Sequence, residues 1–185
     1  QVTYTNNTDA EMRNILYHGS LVTIKHENGS YKIYLPSEEP GDGYDYYMEG
    51  ITPHIADVIT ACDKERVAVC RALGVDALDL ISMLTKTYKL ERKDNLYDLI
   101  QSIDSYRALR NPTNTKHRFI VEDTMSGLVP LASVGHSLGI PTPMMDSFIN
   151  IASAVCGRDF WTEGRTAEKL GLAGKTAAEI QDMVR

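Results

Sequence analysis

The sequence predicts an all-α fold: a single multi-helix domain with a small extended or hairpin excursion near its N-terminus. Three observations carry that reading. Apolar residues recur at helical spacing through most of the chain after Thr52. Helix boundaries are marked by Thr52-Pro53, Thr142-Pro143, Gly74 and Gly157, residue types that start or stop helices for stereochemical reasons. Alternating residues preceded by turn chemistry occur only in one patch, around His26 to Leu35. The chain has 185 residues, enough for one domain with a proper core and too few for a two-domain enzyme with its own nucleotide fold.

In order along the chain, residues 9–18 read as a short helix behind Thr8 or Asp9, with Met12, Ile15 and Leu16 on one side and Asn14 and His18 one turn apart on a shared face. Asn28-Gly29 within 26–35 is hairpin chemistry, so a two-stranded excursion is expected there. Pro36 to Gly43, with two prolines and two glycines among acids, reads as a loop. Helix begins again at the Thr52 cap and Pro53 and runs as a stripe of Ile55, Ile59, Cys62, Val69 and Leu73 to Gly74. Further helices are expected over Asp76 to Tyr88, Asn95 to Ile103, and Glu122 to Leu138, the last interrupted or kinked by Gly127 and Pro130. Pro143 to Cys156, capped by Thr142 and apolar nearly all round, is expected to be the most buried helix, with Met144, Met145 and Phe148 as core. Thr176 and Glu179 form a capping box before the final helix.

Composition narrows the function. Hydrophobic residues make up 43% and charged residues 24%, and no apolar run approaches a membrane span. Nineteen basic against twenty-five acidic side chains give a net charge of −6 with no basic block, which argues against nucleic-acid binding. Cys62, Cys70 and Cys156 lie in apolar stretches without metal-ligand spacing and read as buried free thiols in a reducing compartment. The polar start, Gln1 to Asp9, has no signal region, so the cytoplasm is the expected location.

Several chemistries find no support. The histidines His18, His26, His54, His117 and His136 show no paired ligand spacing, so no metal is expected. Gly41 and Gly43 sit among acids that would repel phosphate, and Ser133 to Ser137 lacks the strand of a nucleophile elbow. What remains is His117-Arg118-Phe119-Ile120-Val121-Glu122-Asp123. A fixed guanidinium beside a carboxylate is suited to a small organic acid; the competing reading is a surface arginine and a helix-capping aspartate. His117 reads as structural or exposed.

Taken as motifs, Asn95 to Ile100, Tyr106-Arg107, Pro112, His117 to Asp123, Gly127 to Ala132, Gly139 to Pro143, Asp146, Gly157 to Trp161 and Glu163 to Leu172 strongly resemble the C-terminal helical domain of the opine dehydrogenases, the octopine and nopaline dehydrogenase family. Tyr47 to Pro53 and Asp63 to Arg66 resemble it as well, so the likeness spans roughly residues 14–173.

The resemblance implies a helical domain like the C-terminal domain of 6-phosphogluconate dehydrogenase. It implies an NAD- or NADP-dependent enzyme that condenses an amino acid with a 2-oxo acid to an imine and reduces it. The whole chain, 1–185, would be the substrate-binding and catalytic domain. The nucleotide would sit on an N-terminal Rossmann domain not among these residues, so the chain alone is not expected to turn over. It further implies His18, four residues after Asn14, as the acid/base with Asp123 as its partner, and Arg118 and Asn14 as substrate-binding groups. Arg165 is expected to hold the last segments to the core. Loss of the nucleotide domain would uncover apolar area, from which a homodimer is expected. The alternative is a helical ligand-binding or interaction module that kept the fold without the chemistry.

Overall fold

The computed structural model describes the backbone of three strands within residues 13–34, and residues 44–107 and 109–184 in full. The strands β1 (Arg13–Tyr17), β2 (Ser20–Glu27) and β3 (Ser30–Tyr34) form an antiparallel sheet in the order β1-β2-β3. Glu27 pairs with Ser30, which leaves Asn28-Gly29 as the two residues between β2 and β3, in line with the hairpin expected there. The helix expected over 9–18 is corrected: Arg13–Tyr17 is a strand, with Ile15 opposite Val22 and Asn14 opposite Thr23. A cap residue and one apolar stripe are weak local signals, and cross-strand pairing to a β-branched run overrides them.

Helix α1 (Pro53–Ala72) starts as the sequence predicts. The Thr52 hydroxyl accepts from the Ile55 amide, Pro53 occupies the first helical position, and the helix stops before Gly74 at φ +72°. Helix α2 (Leu80–Tyr88) begins later than expected because Asp79, not Asp76, is the cap; its carboxylate accepts from the Ser82 amide. Helix α3 (Leu96–Gln101) is capped by Asn95. A long helical rod follows, made of α4 (Arg118–Glu122), a π turn (Asp123–Leu128) and α5 (Val129–Ser137). The π turn is the interruption that Gly127 and Pro130 predict: Pro130 has no N–H to give, and its ring would collide with the Ser126 carbonyl in a regular helix. Helices α6 (Pro143–Cys156), α7 (Phe160–Glu163) and α8 (Ala177–Met183) complete the chain, α8 behind the Thr176/Glu179 capping box.

The central helix is α5, not α6. On α5, Val129, Ala132, Ser133, Val134 and Gly135 are buried. Its small residues let neighbours approach closely: a Cβ on Gly135 would lie 3.0 Å from both Val69 of α1 and the Thr142 methyl. Helix α6 buries only the stripe Met145 and Ile149, and exposes Ile151 (60%) and Val155 (58%) on its far side. Apolar residues on every face therefore did not make α6 the core helix.

Packing is organised in three clusters. One joins Leu84, Leu96, Leu99, Ile100 and Ile103 to Ile51 and Ala56 at the start of α1. A second joins Val129 and Ala132 to Met145, Ile149 and Phe160, and a third joins Val69, Val134 and Ala167. Burial of a side chain such as Phe160 or Leu99 is worth about 1.5–3 kcal/mol each.

Three charged residues of α1 tie distant elements together. The Glu65 carboxylate accepts from the amides of Met144 (2.7 Å) and Met145 (2.9 Å), and so caps α6 from 79 and 80 residues away. Thr142 stands at the cap position, yet its hydroxyl caps nothing; it bonds His136 and Asp146 instead. Asp63 accepts from Arg66 Nε and from the Leu80 amide, both at 2.7 Å, while Arg66 also donates to the Leu78 carbonyl. Among the described residues no helix is long and apolar enough to cross a membrane.

Candidate functional site

The site is built where the segment 44–50 crosses the start of α4. That segment is pinned from outside: Tyr46 N donates to the Leu109 carbonyl (2.7 Å), Asn111 N to the Tyr44 carbonyl (3.2 Å), and the Gln101 amide to the Met48 carbonyl (3.1 Å). Tyr47 stacks on Tyr106 with centroids 4.0 Å apart, and Tyr46 leans on Phe119 at 5.5 Å. Gly50 is required by the turn, since a Cβ there would come within 2.4 Å of the Tyr46 carbonyl oxygen.

These elements enclose a cavity of about 320 Å³ whose polar wall is Arg118 and Asp123 and whose remaining walls include Tyr44, Tyr46, Tyr47 and Gly50. The two residues singled out in the sequence thus face one cavity. Helix α4 presents Arg118 on its first turn, after His117, whose Nδ1 accepts from the Phe119 amide and caps the helix. His117 is therefore structural, as expected. Desolvation and the adjacent guanidinium lower its pKa, with Asp123 pulling the other way.

Arg118 is 30% exposed, and its Nε lies 3.3 Å from the Glu122 carboxylate. That is ion-pair distance, but the alignment is not that of a hydrogen bond, and the buried Nε has no hydrogen-bond partner among the described residues. Glu122 is 54% exposed, so water screens much of this pairing. Asp123 is not an N-cap, because the rod begins five residues before it. No described residue donates a hydrogen bond to its carboxylate. Burial raises its pKa, Glu122 raises it further, and Arg118 and His117 hold it down. Tyr46 responds in the same way: burial first, then Asp123, push its hydroxyl upward.

A second cavity, about 590 Å³, adjoins the first and shares Tyr46, Ile59, Phe119 and Asp123 with it. Sequence reasoning did not single out Tyr46, Phe119 or this second cavity. The available signal was the aromatic run Tyr44-Asp45-Tyr46-Tyr47 just before a strongly capped helix. Met145 is core, as expected, whereas Phe148 is only partly buried; both line the second cavity. Arg165 does join the last segment to the body, but through its backbone amide to the Met125 carbonyl (3.0 Å). Cys62, Cys70 and Cys156 are free and only partly buried.

Asn14 lies in β1, so the shared helix face with His18 does not exist; His18 itself lies outside the described residues. Among the described residues the histidine bonded to a carboxylate is His136, whose Nε2 is 3.0 Å from Asp146 and 3.1 Å from the Thr142 hydroxyl. It lines neither cavity and joins the end of α5 to the start of α6. No group of three or more metal-ligating side chains occurs among the described residues.

The helical body thus turns Arg118 and the half-buried Asp123 carboxylate toward one cavity. The profile described as NAD/NADP octopine/nopaline dehydrogenase, alpha-helical domain, matches residues 8–156. The chain belongs to this family. It is 36% identical to an opine dehydrogenase of Arthrobacter sp. (strain 1C) over 146 residues, covering 79% of this chain and 40% of that protein. It is 28% identical to the protein ocs of Agrobacterium tumefaciens (strain Ach5), covering 72% of this chain and 37% of that one. The fold matches a solved octopine dehydrogenase with NADH and L-arginine at a TM-score of 0.65 and 22% identity, over 78% of this chain and 43% of that one. The chain thus spans about 40% of the length of the curated relatives it matches.

Proposed function

We propose that residues 1–185 are the substrate-binding and catalytic domain of an opine dehydrogenase, which joins an amino acid to a 2-oxo acid as an imine and reduces it with NADH or NADPH. The observation that supports this best is the pairing of Arg118 and Asp123 in one cavity with opposite electrostatic tasks. Hydride comes from the nicotinamide nucleotide. None of the described segments has the glycine-rich strand-to-helix turn that cradles a dinucleotide, so nucleotide binding falls to a Rossmann domain outside these residues.

The share of this chain is to bind, orient and move protons. Arg118 receives a substrate carboxylate; its Nε is free of a hydrogen bond, and its tie to Glu122 is weak enough to yield. Holding the carboxylate fixes the reacting carbon in place. Asp123 carries negative charge in a half-buried setting, where it stabilises a protonated imidazole and fixes its tautomer; His18 is that imidazole, the acid/base of the amine centre. Asn14 contacts substrate alongside it. Homodimerisation belongs to the same reading, supported by the exposed Ile151 and Val155 stripe on α6, and a strictly monomeric species in sedimentation at high concentration would count against it. The free thiols support a cytoplasmic setting.

The test is kinetic, in the full-length enzyme that carries this domain. Arg118→Ala is expected to raise KM for a carboxylate substrate roughly ten- to hundredfold. Asp123→Asn and His18→Ala should each lower kcat by roughly 10² to 10⁴ with nucleotide affinity unchanged. Full turnover in all three variants would remove Arg118, Asp123 and His18 from the reaction, and absence of turnover in the parent enzyme would leave only a fold without the chemistry.

A further inference from the structure

The carboxylate that pairs with Arg118 stands outside the cavity that Arg118 faces. Glu122 lies one helical turn further along α4, with a carboxylate oxygen 3.3 Å from the arginine Nε, and lines neither cavity. The strongest arginine–carboxylate geometry has two parallel N–H···O bonds, whereas the contact with Glu122 leaves the buried Nε without a hydrogen bond. The pair is half made. Its members also differ in what they lose on parting. The Glu122 side chain, at 54% exposure, returns to water, while Arg118, at 30%, keeps a buried N–H that needs an acceptor.

Charge on the segment gives the contact a direction. Arg118 carries one positive charge, Glu122 and Asp123 one negative charge each when ionised, and desolvation together with Arg118 favours neutral His117. A substrate carboxylate that reaches the guanidinium is then a third anion on one cation, so a resident has to give way. Asp123 is half-buried in the cavity wall; Glu122 is exposed and outside it, and is the one that leaves with least loss. We propose that Glu122 is a resident competitor for Arg118, which holds the guanidinium in the empty site, yields it to the substrate carboxylate and takes it back as product leaves. This rests on the dehydrogenase reading above and adds the positioning residue that sets the affinity of its carboxylate site. The exchange keeps the guanidinium paired in the empty and the loaded site alike. It weakens substrate and transition state equally, so it raises KM without lowering kcat, and it eases release of a product that still carries the carboxylate.

The experiment is a double-mutant cycle in the full-length enzyme, read as KM and kcat for each carboxylate substrate at saturating nucleotide. The substrate whose KM rises in Arg118→Ala is the one held by the guanidinium. For that substrate Glu122→Gln is expected to lower KM about two- to fivefold, the range of a partly exposed ion pair, with a smaller change in kcat. In the Arg118→Ala background the same change should have no such effect. Sodium acetate, which brings a carboxylate and little else, should compete with that substrate, and its inhibition constant should fall in Glu122→Gln by the same factor. An unchanged KM in Glu122→Gln means that the pair does not oppose binding, and a raised one makes Glu122 a brace that aims the arginine. An equal fall in the Arg118→Ala background is a general charge effect on the cavity. Each of these overturns the exchange while leaving a dehydrogenase. A KM unchanged for every substrate in Arg118→Ala overturns the binding role of Arg118 and the exchange with it, whereas absence of turnover in the parent enzyme overturns the dehydrogenase reading.

Discussion

Replacing Glu65 by alanine removes the cap of a 14-residue helix from a site that the helix itself cannot refill. Two N-terminal amides, Met144 and Met145, lose their acceptor, and the Thr142 hydroxyl is already committed to His136 and Asp146. Loss of an ordinary N-cap costs about 0.5–2 kcal/mol, and a carboxylate at the positive end of a helix adds about 0.3–1 kcal/mol. With two amides involved and Glu65 only partly buried, water can recover part of the loss, so about 2–3 kcal/mol is expected. For a chain of this size that corresponds to a fall in Tm of about 4–12 °C. Glu65→Gln keeps one acceptor oxygen and should cost about half as much. Urea unfolding followed by far-UV circular dichroism measures both, with the slope expected to stay constant because the folded surface is unchanged. A Glu65→Ala variant within about 0.5 kcal/mol of the parent would refute the assignment, as would a glutamine variant as damaged as the alanine one.

Glu122→Gln removes a negative neighbour that raises the Asp123 pKa, so the acid limb of kcat/KM in the full-length enzyme should move to lower pH; residual activity in Arg118→Ala should show that limb moved to higher pH, because a lowering charge is lost. Shifts of the opposite sign would remove Asp123 from the rate-determining protonation. In the folded state the raised carboxyl keeps its proton to higher pH than it does unfolded, so its stabilising contribution is present at low pH and is lost as pH rises through the folded value. Gly50→Ala should destabilise by about 1–3 kcal/mol and narrow the first cavity, since backbone and not a flexible side chain stands 2.4 Å from the new methyl; an unchanged urea midpoint would show that the turn relaxes freely.

Boundaries set by backbone stereochemistry were legible in the sequence. Thr52-Pro53, Asn95, Pro143, Gly157 and the Thr176/Glu179 box all sit at the ends they announce. Elements settled by distant partners were not. Arg13–Tyr17 pairs with a strand instead of coiling, Asp79 outcompetes Asp76 as a cap, and α6 lies at the side of the core although its composition is apolar. Small residues on α5 decided which helix sits centrally, because close approach and not hydrophobicity selects the crossing point. Of the site, Arg118 and Asp123 were legible as a guanidinium and a carboxylate on one segment. Tyr46 and the second cavity were not, since they arise where segments more than 70 residues apart in the chain come together.

The π turn between Asp123 and Leu128 gives one continuous rod two different headings. Each residue in a regular helix advances the facing direction by about 100°, so a widened turn with one surplus residue shifts everything downstream by that phase. Arg118, upstream of the turn, and Asp123, at its first residue, face the first cavity; downstream, Val129 and Ala132 are buried in the core. A single-residue deletion within 124–127 would let the rod close into an ordinary α-helix, and its two halves could then no longer both face correctly. Such a protein would have to choose between a packed interior and an arginine aimed at the cavity, though every side chain named for either task were still present. The reading frame of the helix, and not its residue content alone, is what this rod depends on.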